Sequence, residues 1–233
     1  MNNTPGISII IPTYNEAQGL GQLLLHLDVI VDKEVVREII VVDGQSADAT
    51  KKIALHHNAT VLESAKGRAK QMNLGAHFAN EEILYFLHAD TYPKKGFGKL
   101  ILESVADGYQ AGCFRMKFDT QNPFLRFFAY LSRINHSLCR GGDQSLFITR
   151  KEFLRHNGFN EDYFIYEDTE FIRRLYENLK FRVLPQDVIT SARKYREKGW
   201  LKVQFHFAMI HLKNYLGAKP DALYEYYERN VLR

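Results

Sequence analysis

The stretch ILYFLHAD, at residues 83–90, decides the fold of this 233-residue chain. A short apolar run that ends abruptly in an acid is typical of a buried strand that carries a polar residue to a sheet edge. Ligands of open α/β sheets gather beyond the carboxyl ends of the strands, so Asp90 is predicted to lie where a metal or charged substrate is held. His88 would point to the same side as Asp90 if both residues keep strand geometry.

Other parts of the chain repeat this pattern of strand, turn and helix. Apolar runs at residues 7–11, 39–42 and 60–62 each precede a polar turn and a stretch with helical spacing of apolar residues. Further strands are predicted at residues 111–118, 145–148 and 181–184. The alternation favours right-handed βαβ crossovers, and hence an α/β fold with a mostly parallel, doubly wound central sheet, helices on both faces and a C-terminal helical segment. No P-loop or dinucleotide-binding glycine motif follows a strand, which argues against those two folds.

Composition narrows the class of protein. Lys and Arg number 31 against 27 Asp and Glu, a formal charge of +4 that is too small for a nucleic-acid partner but suits an anionic small substrate. Cys113 and Cys139 have no metal-ligand or redox spacing and indicate reduced cysteines in an intracellular protein. No signal sequence and no run of roughly 20 apolar residues occurs. A cytoplasmic protein is therefore expected, with a place at the inner face of the membrane left open.

Charged residues collect at the predicted loops. Four acids stand there: Glu16, Asp43, Asp90 and Asp168. Three cations accompany them: Arg68, Arg193 and Lys194. This set suits the transfer of a sugar from a nucleotide diphosphate, because a divalent metal neutralises the departing diphosphate and a carboxylate takes the proton of the acceptor hydroxyl.

Each acid taken alone also has a structural explanation. Asn15 would cap a helix, and Glu16 would be a first-turn acid favoured by the helix dipole. The acids at residues 167–170 would likewise be dipole partners of the helix they open. Only Asp43 lacks an obvious structural role, since Ser46 or Asp48 can cap the helix that follows it.

Six short motifs together resemble one enzyme family. IIPTYNE at residues 10–16 and VVDGQSAD at residues 41–48 match the first two signatures of family 2 glycosyltransferases of the GT-A fold. GRAKQMN at 67–73, FLHAD at 86–90, GDQ at 142–144 and ED at 167–168 resemble, more narrowly, the radical-SAM/selenium-domain-associated subgroup. The resemblance covers almost the entire chain and implies a GT-A fold.

The resemblance assigns the donor side of the site. It implies that the nucleoside is bound by Thr13, Tyr14, Glu16 and Asp43, with Arg68 near its base or phosphates. Asp90 matches the last acid of the family's D-x-D motif and would hold Mn or Mg on the diphosphate of a UDP- or GDP-linked sugar. His88 stands where the family usually places the first aspartate, and with Asp90 completes the predicted metal site. An imidazole there removes a hard oxygen ligand and a charge.

The acceptor side follows from the same resemblance. Asp168 matches the acid of the E-D motif and would be the general base of an inverting transfer, with Glu167 in support. Asp143 and Gln144 match the segment that lines the acceptor. The acceptor is an unidentified hydroxyl compound, and a lipid-linked one is a hypothesis.

Two other functions compete with sugar transfer. A nucleotidyltransferase shares the sheet and the metal aspartate, but it normally has a glycine-rich basic loop where this chain has residues 12–16. A catalytically silent sugar-nucleotide-binding or scaffold protein would keep the nucleoside pocket and lose the base, and the presence of Asp168 argues against it.

The chain is predicted to divide at residue 198. Residues 1–198 form the transferase domain, with a nucleotide-binding half at 1–110 and an acceptor-binding half at 111–198, and residues 199–233 form a helical extension. Within the acceptor half, one helical face is predicted to carry Phe124, Phe127, Phe128, Leu131 and Leu138. This face belongs to the core or to a basic amphipathic lid that meets a lipid. The stripe Leu201, Phe205, Ala208, Leu212 and Leu216 would be covered by the domain, by a second copy in a homo-oligomer, or by a membrane surface.

Overall fold

The protein is built on an eight-stranded sheet, shown by a computed structural model that describes residues 5–232. The strands are β1 Ile7–Thr13, β2 Val36–Asp43, β3 Thr60–Glu63, β4 Ile83–Phe86, β5 Thr91–Tyr92, β6 Ala111–Phe118, β7 Leu146–Thr149 and β8 Phe181–Thr190. The helices are α1 Ala17–Ile30, α2 Thr50–His56, α3 Arg68–Phe78, α4 Phe97–Ala106, α5 Pro123–Leu131, α6 Arg150–Arg155, α7 Glu167–Asn178, α8 Arg193–Lys198, α9 Trp200–Tyr215 and α10 Pro220–Tyr227. Two 3-10 turns, Ser137–Cys139 and Gly142–Gln144, and a π-helical turn, Glu228–Leu232, complete the described chain.

The strand order is β3-β2-β1-β4-β7-β6-β8-β5. Strands β1 to β4 are parallel to one another, and β6 is parallel to β8. The pairs β4–β7, β7–β6 and β8–β5 are antiparallel. Four of the seven neighbouring pairs in the described sheet are therefore parallel, and the predicted mostly parallel α/β sheet is confirmed.

Alternating side chains of the central strand β1 enter two different cores. Ile9 and Ile11 pack on one face with α1, α2 and α4, whereas Ile10 packs on the other with α3, α6 and α7. Helices therefore cover both faces of the sheet, as predicted. The chain order reverses between β1 and β4, and in open α/β sheets this switch point leaves a crevice outside the carboxyl ends of the two strands.

Strand β4 ends at Phe86, earlier than its apolar run suggests. His88 and Asp90 therefore lie in the turn beyond the strand, and the condition for their sharing a strand face is not met. Both residues still stand at the crevice, because the turn follows the carboxyl end of β4. The short strand β5, which follows at once and pairs with β8, was not predicted.

The last strand, β8, is longer than predicted. Residues 181–184 were expected to end at Pro185, yet β8 continues to Thr190 alongside β6. Phe114 pairs with Leu184 and Arg115 with Asp187, so Pro185 and Gln186 form a bulge. Proline has no N–H to donate to a neighbouring strand. Residues in a bulge need no such hydrogen bond, so the strand can continue after Pro185.

One helical prediction near the C-terminal half is wrong, and one alternative of another is excluded. Helix α5 ends at Leu131, so Leu138 lies in a separate 3-10 turn and not on the same helical face. Helix α9 does form, but it buries Val203 and Ile210 on its inner face. The domain does not cover the predicted stripe, and its coverage by a second copy or by a membrane surface stays a prediction. The stripe consists of Leu201, Phe205, Ala208, Leu212 and Leu216, all exposed in the single chain.

The C-terminal helices pack against the start of α7. Ile210 of α9 and Leu223 of α10 form a cluster with Ile165, and Val231 of the final turn is also buried. None of the helices within residues 5–232 has the length and apolarity that a membrane span requires. The division at residue 198 stays a prediction.

Candidate active site

Two loops at the carboxyl edge of the sheet are tied to each other by hydrogen bonds. The Asn15 amide donates to Ser46 Oγ at 2.8 Å, and the Ala47 amide donates to Asn15 Oδ1 at 2.8 Å. The Glu16 amide donates to Thr50 Oγ1 at 3.0 Å. Asn15 adopts a left-handed φ of 52°, and its side chain joins the loops instead of capping α1 as expected. The loops that follow β1 and β2 therefore form one platform.

Asp43 lies buried at the end of β2 with one oxygen free to accept a hydrogen bond. Its Oδ2 accepts from the Ser46 amide at 2.8 Å, while Oδ1 is buried and has no hydrogen-bond partner among the described residues. Gln71 Nε2 donates to the carbonyls of Thr13 and Val42, at 2.7 and 2.8 Å, and so holds β1 and β2 at this end. A buried acceptor without a donor is costly, and a ligand N–H or O–H would satisfy it.

An ion pair crosses the crevice from Glu16 to the start of α8. Arg193 Nη2 lies 3.2 and 3.4 Å from the two carboxylate oxygens of Glu16. Burial raises the pKa of Glu16, Arg193 opposes this, and the charge of Asp90 adds to it. Burial and the charge of Asp143 raise the pKa of Asp90, and the charges of His88, Arg193 and Lys194 oppose this. Acids and cations predicted from separate loops are thus brought together.

Asp168 and Glu167 open α7 and face different partners. His88 Nε2 lies 3.4 Å from Asp168 Oδ2, and Arg68 Nε lies 2.5 Å from Glu167 Oε1. Both carboxylates are buried, Glu167 completely. The predicted base and its support therefore sit in the first turn of a helix, where the dipole favours negative charge.

The two neighbouring carboxyls have opposite pKa shifts. Burial tends to raise the pKa of Asp168, but the hydrogen bond from His88 and the charges of His88 and Arg68 hold it below its ordinary value. Burial raises the pKa of Glu167 to about 7, partly opposed by Arg68 and reinforced by Asp168. Pairs of titratable groups whose environments separate their pKa values are common at catalytic sites.

Tyr166, just before these acids, has an unusual backbone. Its φ of 73° is left-handed, a conformation that bulky residues rarely adopt. The hydroxyl of Tyr166 lies 2.9 Å from His211 Nδ1 on α9, which fixes the residue in place. Helix α9 thereby supports the turn that presents Glu167 and Asp168.

The segment predicted to line the acceptor is organised by Arg140. This arginine is 4% exposed and donates to Cys113 Sγ at 3.1 Å, to Gln144 Oε1, and to the carbonyls of residues 132, 134 and 136. Gln144 Nε2 in turn donates to the Cys139 carbonyl at 2.7 Å. The amide of Gln144 is thus used within the protein, whereas Asp143 is exposed.

One cavity of about 870 Å³ connects these groups. Nine of the eleven predicted site residues line it: Thr13, Tyr14, Glu16, Arg68, His88, Asp90, Asp143, Gln144 and Asp168. Asp43 and Glu167 lie behind its wall. The cavity lining also includes the apolar side chains Phe128, Leu131 and Leu138. A cavity with both polar and apolar lining residues suits an amphiphilic ligand.

Comparison with known families agrees with this arrangement. The family model for Glycosyl transferase family 2 matches residues 8–180. The chain belongs to this family.

Similar proteins include one curated relative and several solved structures. Glycosyltransferase AglE of Haloferax volcanii is 32% identical over 96 residues, which cover 38% of this chain and 32% of AglE. The TarS 1–349 structure from S. aureus has a TM-score of 0.65 and 19% identity, covering 81% of this chain and 61% of that one. The mannosyltransferase PcManGT from Pyrobaculum calidifontis, in complex with GDP-Man and Mn2+, has a TM-score of 0.67 and 18% identity, covering 90% of this chain and 63% of its own.

These likenesses establish the fold. A third solved structure, glucosyl-3-phosphoglycerate synthase from Mycobacterium tuberculosis with Mn2+, UDP and glucosyl-3-phosphoglycerate, has a TM-score of 0.60 at 16% identity, covering 78% of this chain and 70% of its own. This family 2 chain therefore has the predicted GT-A type of α/β fold. It spans less than two thirds of the length of AglE, TarS 1–349 and PcManGT.

The family 2 site fits a metal held by few protein ligands. No group of three or more His, Cys, Asp or Glu side chains able to hold a metal ion occurs within residues 5–232. The predicted ligand His88 is turned towards Asp168, which leaves Asp90 as the carboxylate facing the crevice. Mg²⁺ is often bound through one or two carboxylates together with substrate phosphates. A divalent cation at Asp90 would also stabilise the ionised carboxylate and so offset the effect of burial on its pKa.

Several residues of the site were not predicted. Gln71 joins two strand ends, Lys66 lies 3.9 Å over the ring of Tyr14, and Arg140 anchors the acceptor segment. Gln71 belongs to the motif at residues 67–73 and Lys66 directly precedes it, so the motif itself could have indicated both residues. No signal in the sequence connects Arg140 to Cys113, because 26 residues separate them along the chain and only the fold brings them together.

Proposed function

We propose that this chain is a glycosyltransferase that moves a sugar from a nucleotide diphosphate to a hydroxyl acceptor with inversion. The observation that carries the proposal is that one cavity is lined by the donor-side loop residues, by Asp90 and by Asp168. Asp90 is the predicted metal ligand, and Asp168 is a buried carboxylate with a lowered pKa. Membership of family 2 supports it. The motifs at 67–73, 86–90, 142–144 and 167–168 support the narrower radical-SAM/selenium-associated assignment, which stays a prediction.

The donor nucleoside would lie on the platform formed by the first two loops. Asp43, whose Oδ1 has no hydrogen-bond partner among the described residues, stays the predicted nucleoside contact although it does not line the cavity. Thr13 and the half-exposed Tyr14 form the adjoining wall. Structures of the similar TarS and PcManGT hold UDP-GlcNAc and GDP-Man respectively, which supports a UDP- or GDP-linked donor here.

The donor diphosphate would lie between α8 and the turn after β4. Arg193 and Lys194 at the start of α8 supply positive charge there, and Glu16 holds the Arg193 guanidinium in place. Asp90 would hold Mn²⁺ or Mg²⁺, which when bound offsets the charge of the departing diphosphate. Arg68, expected near the base or phosphates, reaches the same cavity but pairs with Glu167.

Asp168 would act as the general base. Its lowered pKa keeps the carboxylate ionised, and His88 orients it through the 3.4 Å contact. Asp168 would take the proton of the acceptor hydroxyl while the hydroxyl oxygen forms the new bond at the anomeric carbon. The bond from that carbon to the diphosphate oxygen breaks on the opposite side, and the nucleotide diphosphate leaves.

The halves of the chain would divide this work. Residues 1–110 would bind the donor, residues 111–198 would bind the acceptor, and residues 199–233 would support α7 from outside. The contact between Tyr166 and His211 supports the last role. Asp143 remains the predicted acceptor contact, and Gln144 would act by shaping the segment through Arg140.

Calorimetric titration tests the donor class. UDP and GDP are each titrated into the purified protein with and without Mn²⁺, in wild type and in Asp90→Ala. We expect one nucleotide to bind in a Mn²⁺-dependent way and the variant to lose on the order of tenfold or more in affinity. The matched control is Asp107→Ala, which removes an exposed acid paired only with Arg182 at the surface.

Two results would count against the proposal. If neither nucleotide binds under any condition, the chain is better described as a scaffold. If Asp107→Ala weakens binding as much as Asp90→Ala does, the metal is not held at Asp90.

A further inference from the structure

Large apolar side chains are exposed in two stretches of the described chain. Of the 17 that are exposed within residues 5–232, nine lie in residues 127–138 and 201–216. We call these nine the apolar rim: Phe127, Tyr130, Ile134, Leu138, Leu201, Phe205, Leu212, Tyr215 and Leu216. Their exposed fractions run from 47% to 84%. Such a concentration marks an interaction surface, whereas scattered exposed apolar residues are normal.

Helix α9 is apolar on both of its sides. Leu201, Phe205 and Leu212 follow one another at helical spacing on the exposed side, while Val203 and Ile210 are buried on the opposite side. Packing on the protein therefore uses only the inner side. The outer side needs another explanation, because exposing it to water costs free energy.

The two stretches that form the apolar rim are neighbours and reach the cavity. The ring centroids of Phe124 and Trp200, which lie just before each stretch, are 4.3 Å apart. Leu138 from the first stretch and the exposed Ala208 from the second both line the cavity. The apolar rim thus adjoins residues of the cavity lining.

The two segments that form the apolar rim carry cations and no acids, and Asp187 of β8 lies 3.8 Å from Arg133. Neither residues 120–142 nor residues 198–220 contain an Asp or a Glu, although the whole chain has 27 of them. The exposed cations Arg126 and Lys202 belong to these segments. A surface that combines exposed apolar residues with cations and lacks acids is complementary to anionic lipid.

We propose that the apolar rim docks on the surface of an anionic lipid bilayer. Helix α9 would lie in the plane of the interface with Leu201, Phe205 and Leu212 among the lipids, since no helix within residues 5–232 is able to span. A second copy of the chain suits the apolar rim less well than a bilayer does. A two-fold contact would place this positively charged surface against itself.

Docking would turn the cavity opening towards the bilayer. Phe128 and Leu131 form an apolar wall of the cavity that Asp168 also lines. An amphiphilic acceptor held in the bilayer could follow that wall, a consequence that rests on the proposed function. The docking itself rests only on exposure and charge.

Vesicle co-sedimentation tests the proposal. The full chain is mixed with vesicles of phosphatidylcholine alone or with added phosphatidylglycerol, at low and high salt. We expect binding to the phosphatidylglycerol vesicles that weakens with salt, and a loss of about tenfold or more in Phe205→Glu. Phe78→Glu is the matched control, because Phe78 is 54% exposed against 60% for Phe205 but lies at the end of α3.

Further measurements distinguish a loss of docking from a damaged donor site and from dissociation of a dimer. Lys202→Glu is expected to weaken binding, whereas Lys99→Glu, on an exposed position of α4, is expected to leave it unchanged. Nucleotide titration of Phe205→Glu shows whether its donor site is intact, so a failure of docking is distinct from a failure of the proposed function. The proposal is overturned if wild type does not bind anionic vesicles, if Phe78→Glu and Phe205→Glu lose binding equally, or if Phe205→Glu instead dissociates a dimer.

Discussion

At the scale of single residues, the site depends on two adjacent carboxyls with different environments. Asp168 contacts His88 and keeps a lowered pKa, whereas Glu167 is completely buried and pairs with Arg68. A base must be ionised to accept a proton, so the lowered pKa suits Asp168 to the role. Glu167 is suited to hold Arg68 and the helix start in position.

Asp168→Asn tests this assignment. The amide keeps the size of the side chain but cannot take the proton of the acceptor, so we expect kcat to fall by about 10²–10⁴-fold. Release of nucleotide diphosphate from the sugar donor, followed with a coupled assay, measures the rate. Affinity for UDP or GDP, measured by calorimetry, should change little. Equal losses of affinity and rate would place Asp168 in donor binding instead.

The positions of residues at strand ends could be predicted, because the end of an apolar run in the sequence marks the carboxyl end of the strand. Thr13, Asp43 and Asp90 were placed at that edge from the sequence; the structure ends β1 at Thr13 and β2 at Asp43, and Thr13 and Asp90 line the cavity. The pairing of Arg193 with Glu16 could not be predicted, since 176 residues lie between them and only the path of β8 brings them together. Their roles in catalysis stay predictions.

At the scale of elements, prediction succeeded where one period dominated the sequence. The buried strands β1, β2 and β4 and helix α1 have clear patterns, and all were found. The continuation of β8 beyond Pro185 was missed, because a bulge overrides the usual reading of proline as a strand end. The sequence did not show which side of α9 packs on the domain, because both sides are apolar, and α10 packs on the side of Ile210.

The contact of β6 with its two neighbours gives an element-scale prediction. A Cβ at Gly112 would lie 2.3 Å from the Arg182 carbonyl oxygen and 2.5 Å from the ring of Phe147. Gly112→Ala is therefore expected to lower the free energy of unfolding by about 2–3 kcal/mol, measured by urea denaturation. The control is Gly21→Ala in α1, where the nearest side-chain atom is 3.5 Å away and alanine should stabilise the helix by up to about 1 kcal/mol. Equal stabilities of the two variants would contradict this packing.

At the scale of the whole molecule, the sequence was sufficient for the fold class and for the family. Alternating strands and helices fixed the sheet, and six motifs at its carboxyl edge were enough to indicate family 2. The way in which the acceptor half closes over that edge was not predictable. It depends on Arg140 and on the contact of Tyr166 with His211, both of which join segments without a shared pattern.

The free energy of unfolding of the whole protein should depend on pH through the ionisation of Glu167. Its pKa is 4.5 ordinarily and about 7 in the folded protein, mainly because burial disfavours the ionised form. Between these values the unfolded chain has released the proton while the folded protein keeps it. The folded state thus binds more protons, and the free energy of unfolding falls as pH rises through this window.

Urea denaturation at pH 5 and pH 8 measures this effect. We expect wild type to lose about 2 kcal/mol more than Glu167→Gln between the two pH values, because glutamine has no proton to release. Groups far from residue 167 contribute equally to the pH dependence of both proteins. The difference between the two changes in free energy of unfolding therefore reports on Glu167 and on the charges coupled to it. Glu177→Gln, an exposed position on the same helix α7, should follow the wild-type curve. Parallel curves for wild type and Glu167→Gln would show that this carboxyl is already ionised at pH 5 in the folded protein, and that Arg68 outweighs the burial.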